Sequence, residues 1–140
     1  KYARLRERGY KTGLHQGKLD YNAVEYASEL SFRAGVAAME KLLQAEVRPD
    51  AVFAVSDTLA AGAMLAIASA GLKTPEDIAV VGFDGTALAE MVSPPLSTIE
   101  QPSQDIGRTA VGLLLNKIDN PDAPAQRVMM DWHYISRLSA

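Results

Sequence analysis

The sequence contains no cysteine, and this absence limits the chemistry open to the chain. Neither a disulfide framework nor a thiolate metal site can form, and the lack of disulfides favours the cytoplasm. Long apolar runs are also missing, because Ser, Gly, Asp or Pro interrupts each run before the roughly 18 residues that a membrane-spanning helix needs. We therefore expect a soluble chain that makes no membrane contact.

Basic charge is scarce as well. The 14 Lys and Arg residues are outnumbered by 17 Asp and Glu residues, which gives a net charge of -3. Nucleic-acid binding needs clustered Lys and Arg, so any DNA contact would have to come from residues outside this sequence. The chain begins at Lys1 with neither a Met nor a signal-like segment, and we expect that the true start of the gene product is missing.

Signatures of catalysis are absent too. The patterns G-x-S-x-G, H-E-x-x-H, G-x-G-x-x-G and G-x-x-x-x-G-K-[ST] do not occur. His15 and His133 lie far apart in sequence, without partners at the spacing of a zinc site. The sequence therefore predicts a protein that is not an enzyme and holds neither a metal nor a cofactor.

What the chain does contain is a core: 48% of its 140 residues are apolar, which suits one globular domain. Short apolar segments alternate with helical patterns. The predicted strands cover 22–27, 51–55, 78–83, 96–100 and 127–135. The predicted helices cover 2–14, 59–70 and 87–92, and two more begin at Ser31 and Ser103 as caps. This alternation predicts an α/β fold with an open parallel sheet of right-handed βαβ units.

Two of these strands also suggest their place in the sheet. The run 51–55 is short, apolar and bounded by turn residues, which predicts burial on both faces. The segment 127–135 alternates Val128, Met130, Trp132 and Tyr134 with other residues, and such alternation predicts an edge strand.

Polar residues follow three of the predicted strands: Ser56 and Asp57, Asp84, and Gln101. In open parallel sheets, ligands bind at the carboxyl ends of the strands. Asp84 could accept hydrogen bonds from ligand hydroxyls there, or it could cap the helix that follows, and its spacing leaves both interpretations open. Either Ser56 or Asp57 is expected to cap the helix after the second strand.

Arg6 shares a helix face with Tyr2 and Tyr10. A planar guanidinium between aromatic rings suits sugar hydroxyls, carboxylates or phosphates. The alternative is a solvated helix face, favoured by the nearby Lys1, Arg4, Arg8 and Lys11.

Small residues fill the stretch 60–63, which Met64 and Leu65 follow. Packing within the chain is the default interpretation. Self-association is the alternative, and Met91 and Val92 would extend such a surface.

Several segments together resemble the LacI/GalR family of transcription regulators: RPDAVFAVSD at 48–57, AGLKTPEDIAVVGFD at 70–84, PPLSTI at 94–99 and QP at 101–102. The resemblance covers nearly the whole chain and extends to RERGY at 6–10 and SR at 136–137. It implies part of a two-lobed, periplasmic-binding-protein-like type I core with a doubly wound sheet. Residues 1–101 and 125–140 would then form the C-terminal lobe and residues 102–124 would belong to the N-terminal lobe, while the helix-turn-helix head is absent.

The resemblance also implies roles for individual residues. The effector, a sugar or sugar derivative, would contact Arg6, Leu30, Ser56, Asp57, Asp84 and Gln101, with Leu30 standing where many members stack an aromatic ring. A homodimer interface would comprise Leu59, Ala60, Ala61, Ala63, Met64, Leu88, Met91 and Val92. The parent protein would bind operator DNA through its missing head. The alternative is a periplasmic sugar-binding protein of an ABC transporter, which shares the fold.

Overall fold

The computed structural model describes residues 2–20 and 23–140, with the side chain of Tyr2 left out. Its helices are Tyr2–Gln16 (α1), Phe32–Leu43 (α2), Asp57–Ser69 (α3), Leu88–Met91 (α4) and Ser103–Asp119 (α5). Its strands are Ala51–Phe53 (β1), Ala79–Asp84 (β2), Ser97–Glu100 (β3) and His133–Ile135 (β4). The predicted α/β class is confirmed.

The four strands form one sheet in the order β1-β2-β3-β4. The pairs β1–β2 and β2–β3 are parallel, and β4 runs antiparallel to β3. Gly82 of β2 lies opposite Thr98 of β3, and Asp84 lies opposite Glu100. The carboxyl ends of β2 and β3 therefore meet at one edge, which is where the sequence predicts a site.

The core forms where α3 packs between α2 and β2. Met39, Ile67, Ile78, Val80 and Leu96 are fully buried there. The two helices approach closely because both carry glycine at the crossing. A Cβ atom at Gly62 would lie 2.2 Å from the backbone oxygen of Phe32. The small-residue stretch 60–63 is buried within the chain, as the default interpretation predicted.

Two of the predicted helix starts are confirmed by their capping bonds. Ser31 Oγ accepts a hydrogen bond from Ala34 N, and Ser56 Oγ accepts one from Leu59 N. The third prediction, that Ser103 caps a helix, is wrong. Ser103 is the first residue of α5, and the N-cap of α5 is Pro102, which makes no side-chain capping bond. The Ser103 hydroxyl donates to Gln101 O instead, 3.3 Å away.

Three predicted strands need correction. The described part of the first, 23–27, is not a strand, and residue 22 lies outside the described residues. The prediction of burial on both faces for 51–55 is also wrong, because β1 ends at Phe53, stands at the sheet edge and exposes Ala51. Only 133–135 of the last segment is strand, but it does stand at an edge. An extended segment becomes a strand only where a neighbour completes its hydrogen bonds.

The segment after β4 forms hydrogen bonds to β2 and β3 through Ser139. Ser139 Oγ donates to Val80 O at 2.6 Å and accepts from Ser97 N at 2.8 Å. In contrast, none of the α5 residues is fully buried by the rest of the described chain, although Thr109 and Leu113 are partly buried. Within residues 2–20 and 23–140, none of the helices combines the length and apolarity needed to cross a bilayer.

Candidate functional site

Three of the predicted site residues meet at the carboxyl ends of β2 and β3. Gln101 Nε2 donates a hydrogen bond to Asp84 Oδ1 at 2.7 Å. Arg6 Nη2 lies 3.4 Å from the same oxygen. Arg6 comes from α1, 78 residues earlier in the chain than Asp84, so the fold brings together groups that are distant in sequence. We call Arg6, Asp84 and Gln101 the crevice triad.

Arg6 is held by its surroundings on three sides. Its Nη1 donates to the backbone oxygen of Val55, and its guanidinium lies 3.7 Å from the centre of the Phe83 ring. Its side chain is only 22% exposed. Since a solvated helix face would leave the guanidinium in water, the structure rules out that alternative for Arg6. A stacked cation of this kind is fixed in place before a ligand arrives.

Asp84 does not cap the helix that follows it. The N-cap of α4 is Ala87, and no side chain makes a capping bond there. Asp84 instead adopts a positive φ of 114°, and Gly85 follows with a φ of 70°. A non-glycine residue in this region is strained by about 1–3 kcal/mol and persists only where its surroundings hold it. The capping interpretation of Asp84 is therefore wrong.

The charge of Asp84 is set by opposing effects. The pKa of its carboxyl lies above the ordinary value of 3.8, chiefly because the group is partly buried. The Asp57 carboxylate raises this pKa further. The cation of Arg6 and the hydrogen bond from Gln101 lower it, but not enough to cancel the effect of burial. Its side chain remains 34% exposed, so a ligand can reach it. Both neighbours bond to Oδ1, and none of the described residues donates to Oδ2. Within residues 2–20 and 23–140, that oxygen therefore keeps its capacity to accept hydrogen bonds.

Ser56 and Asp57 are buried in the interior and are not part of the crevice triad. Ser56 is the buried N-cap of α3. Asp57 is 1% exposed, and its Oδ2 accepts hydrogen bonds from Thr86 N at 2.6 Å and Thr86 Oγ1 at 2.9 Å. Its Oδ1 accepts one from Thr98 Oγ1. Sequence reasoning missed Phe83, Thr86 and Thr98, although Thr86 stands only two residues after Asp84.

Leu30 lies apart from the crevice triad. It is 71% exposed, in the coil before α2. It lines a cavity of about 570 Å³ together with Tyr10, Tyr26 and Phe53, between that coil and the edge of β1. The triad residues do not line this cavity. Val55 connects the two places, because it lines the cavity and its backbone oxygen binds Arg6.

The residues predicted for a dimer interface fall into two groups. Those on α3 are buried within this chain, against α2 and the sheet, where a second copy cannot reach them; they are Leu59, Ala60, Ala61, Ala63 and Met64. That part of the prediction is corrected: close intramolecular packing explains the small side chains. Around α4, Met91 is 78% exposed, while Leu88 and Val92 are partly buried.

A sequence profile for periplasmic binding protein-like domains matches residues 1–140. Among curated proteins, the ribose operon repressor of Haemophilus influenzae is 41% identical over 132 residues, which are 92% of this chain and 39% of that protein. The chain thus spans about two fifths of that relative's length.

Two solved structures of transcription regulators are also similar to this chain. The complex of the transcriptional regulator CelR with cellobiose is 34% identical, with a TM-score of 0.91, and the match covers 96% of this chain and 42% of that chain. The lac repressor dimer bound to operator and the anti-inducer ONPF is 30% identical, with a TM-score of 0.89, and the match covers 98% of this chain and 41% of that chain.

Proposed function

Because this chain belongs to the periplasmic binding protein-like domains of LacI/GalR-type regulators, we propose that it senses a small sugar or sugar derivative for a DNA-binding repressor. The observation that carries the proposal is the crevice triad. A carboxylate, a guanidinium and an amide converge at the carboxyl ends of two parallel strands.

The chemistry of the triad suits a sugar. A sugar hydroxyl both donates and accepts hydrogen bonds, so neighbouring hydroxyls can pair with Asp84 Oδ2 and with the guanidinium N–H groups of Arg6 at once. Bonds to charged partners are stronger than neutral ones. The cellobiose bound by CelR, a relative with the same fold, supports this class of ligand.

The other predicted effector residues would assist binding without joining the crevice triad. Leu30 offers an apolar surface beside the cavity, against which the hydrophobic face of a larger ligand packs. Ser56 and Asp57 support the floor of the crevice from the interior. No cofactor is needed, since the proposed activity is binding without chemical change.

The proposed mechanism is a shift between two arrangements of the protein. A ligand changes operator affinity only if it binds one arrangement more tightly than the other. We assign residues 102–124 to a second lobe, and closure of the two lobes on the ligand is the change that the ligand favours. The exposed apolar side chains of α5 are consistent with packing outside residues 1–140.

The remaining partners follow from the same assignment. The lac repressor with its operator is a dimer, which supports a homodimer here, with Leu88, Met91 and Val92 in its interface. Operator DNA would be bound by a helix-turn-helix head outside this chain, in the cytoplasm. The relatives described above are named as a repressor and a transcriptional regulator, so the regulator is favoured over the sugar-binding protein of a transporter.

Calorimetric titration of the full-length protein with ribose and cellobiose tests the proposal. Asp84→Ala should weaken binding of whichever sugar the wild type binds by about tenfold or more, because it removes a charged acceptor. Asp50→Ala removes an exposed carboxylate before β1 and should change the affinity by less than about twofold. Unchanged affinity in Asp84→Ala would contradict the assignment of the site.

A further inference from the structure

The Asp57 carboxylate connects three elements that are far apart in sequence. It stands at the first position of α3, it binds Thr86 in the turn after β2, and it binds Thr98 in β3. The partners are 29 and 41 residues away along the chain. Buried carboxylates are costly unless their oxygens are bonded, so this one is kept by its partners.

The Asp57 carboxylate fits against the sheet because Gly82 of β2 has no side chain. A Cβ atom at Gly82 would lie 2.5 Å from Asp57 Oδ1 and 2.9 Å from Leu96 Cδ2. Gly82 is also the residue opposite Thr98 in the pairing of β2 with β3. Glycine in the middle of a strand weakens it, and here it admits the Asp57 side chain.

The turn that Asp57 holds is the one that carries Asp84. Asp84 and Gly85 are consecutive residues with positive φ, and they lead the chain out of β2 towards α4. The crevice side of the turn is held by the bonds of Asp84 to Arg6 and Gln101. The interior side is held by the two bonds from Thr86, through its N–H and its hydroxyl, to Asp57 Oδ2.

We propose that Asp57 is a positioning residue for effector binding: it fixes the turn 84–86, and thereby aims the Asp84 carboxylate at the ligand without contacting the ligand itself. The inference rests on the proposed function of the crevice triad. It also connects α3 to the crevice, because a displacement of the first turn of α3 would move Thr86 and then Asp84.

Three variants of the full-length protein separate positioning from simple stabilisation. Asp57→Asn keeps the size of the side chain but turns one acceptor into a donor, so it cannot accept from both threonines. Thr86→Val removes the hydroxyl donor to Asp57 Oδ2 at an exposed position and keeps the backbone N–H donor. Ser139→Ala is the control, because it removes a buried hydroxyl with two hydrogen bonds at the start of β2, away from the crevice.

Affinity for ribose and cellobiose is measured by calorimetry, and the midpoint of thermal unfolding is measured beside it. We expect about a tenfold loss of affinity in Asp57→Asn and about a threefold loss in Thr86→Val, whereas Ser139→Ala lowers the unfolding temperature and keeps the affinity within about twofold. If Asp57→Asn and Thr86→Val lower only the unfolding temperature, as Ser139→Ala does, the inference is overturned.

A ligand-free measurement distinguishes this failure from failure of the proposed function. If the wild type binds neither sugar, ribose and cellobiose are excluded as effectors, and amide hydrogen exchange then decides the role of Asp57. The Thr86 amide should exchange about tenfold faster in Asp57→Asn, whereas the Ala54 amide, which bonds to Val81 O, should not change. An unchanged Thr86 amide would show that Asp57 does not hold the turn.

Discussion

At the scale of single residues, the proposed sugar binding depends on Asp84 carrying a negative charge. Arg6 pairs with the ionised carboxylate, and in the proposed function ligand hydroxyls would donate to it. Burial raises the pKa of Asp84 above 3.8, so on acidification it takes up a proton at a higher pH than an ordinary aspartate does. Protonation removes the charge and one acceptor.

We therefore predict that sugar affinity falls as the pH is lowered from about 7 to about 4, starting above the range in which an exposed aspartate titrates. Asp84→Asn should show weaker binding with a smaller pH dependence. Calorimetric titrations of both proteins over this range check the prediction. Parallel pH profiles for the two proteins would contradict it.

Protonation of Asp84 does not unfold the protein, so unfolding caused by this residue cannot explain a loss of sugar affinity at low pH. Because its pKa is raised in the folded state, its ionisation disfavours folding, and this cost is present above the folded pKa and disappears as the pH falls to the unfolded value near 3.8. Asp84 therefore favours the folded state more at low pH. Circular dichroism at each pH separates loss of binding from loss of structure.

Sequence patterns predicted part of this site. Asp84 and Gln101 follow apolar strands, and Arg6 stood out by helical spacing. The capping bond of Ser56 was also predictable from its place before a helix. The partners of Asp57 were not, because Thr86 and Thr98 come close to it only when α3, β2 and β3 pack together. Local patterns carry no information on such contacts.

At the scale of elements, the contact between α2 and α3 rests on two glycines. Gly35 and Gly62 face backbone atoms of the opposite helix: a Cβ at Gly35 would lie 2.4 Å from Leu59 O, and one at Gly62 would lie 2.8 Å from Val36 N. Backbone atoms cannot move aside as a flexible side chain can. The two helices would have to separate to admit a methyl group.

We predict that Gly62→Ala destabilises the fold by about 1–3 kcal/mol, the usual cost of overpacking, despite the better helix propensity of alanine. Gly9→Ala in α1 is the matched control, since a Cβ there meets nothing within 4 Å, and it should be neutral or stabilising. Urea unfolding followed by circular dichroism measures both. Equal stability of the two variants would contradict the packing argument.

The strands show where element prediction fails. The segments 51–55, 78–83 and 96–100 were placed correctly to within about two residues, the usual precision for boundaries. The segment 23–27 has the apolar alternation of a strand, with Val24 among its residues, but is not one. Alternation shows that a segment can pair, whereas pairing itself needs a neighbour, and sequence patterns do not show whether one is present.

At the scale of the whole molecule, one apolar surface of the described chain remains uncovered. Val111, Leu114, Leu115 and Ile118 recur at intervals of three and four residues on α5, so they form one stripe, and all four are exposed. Side chains at this spacing normally pack against another element. The described part of the chain offers the stripe no such element.

We predict that residues 1–140, produced alone, associate through this stripe, because contiguous exposed apolar side chains favour self-association. Light scattering should give a mass above that of the monomer, increasing with concentration. Leu115→Glu places a charge within the stripe and should lower the mass. Gln104→Glu adds the same charge at an exposed polar position of α5 and should not. A wild-type chain that stays monomeric and melts cooperatively would show that the stripe is stable in water, and would remove the argument that α5 packs against a second lobe.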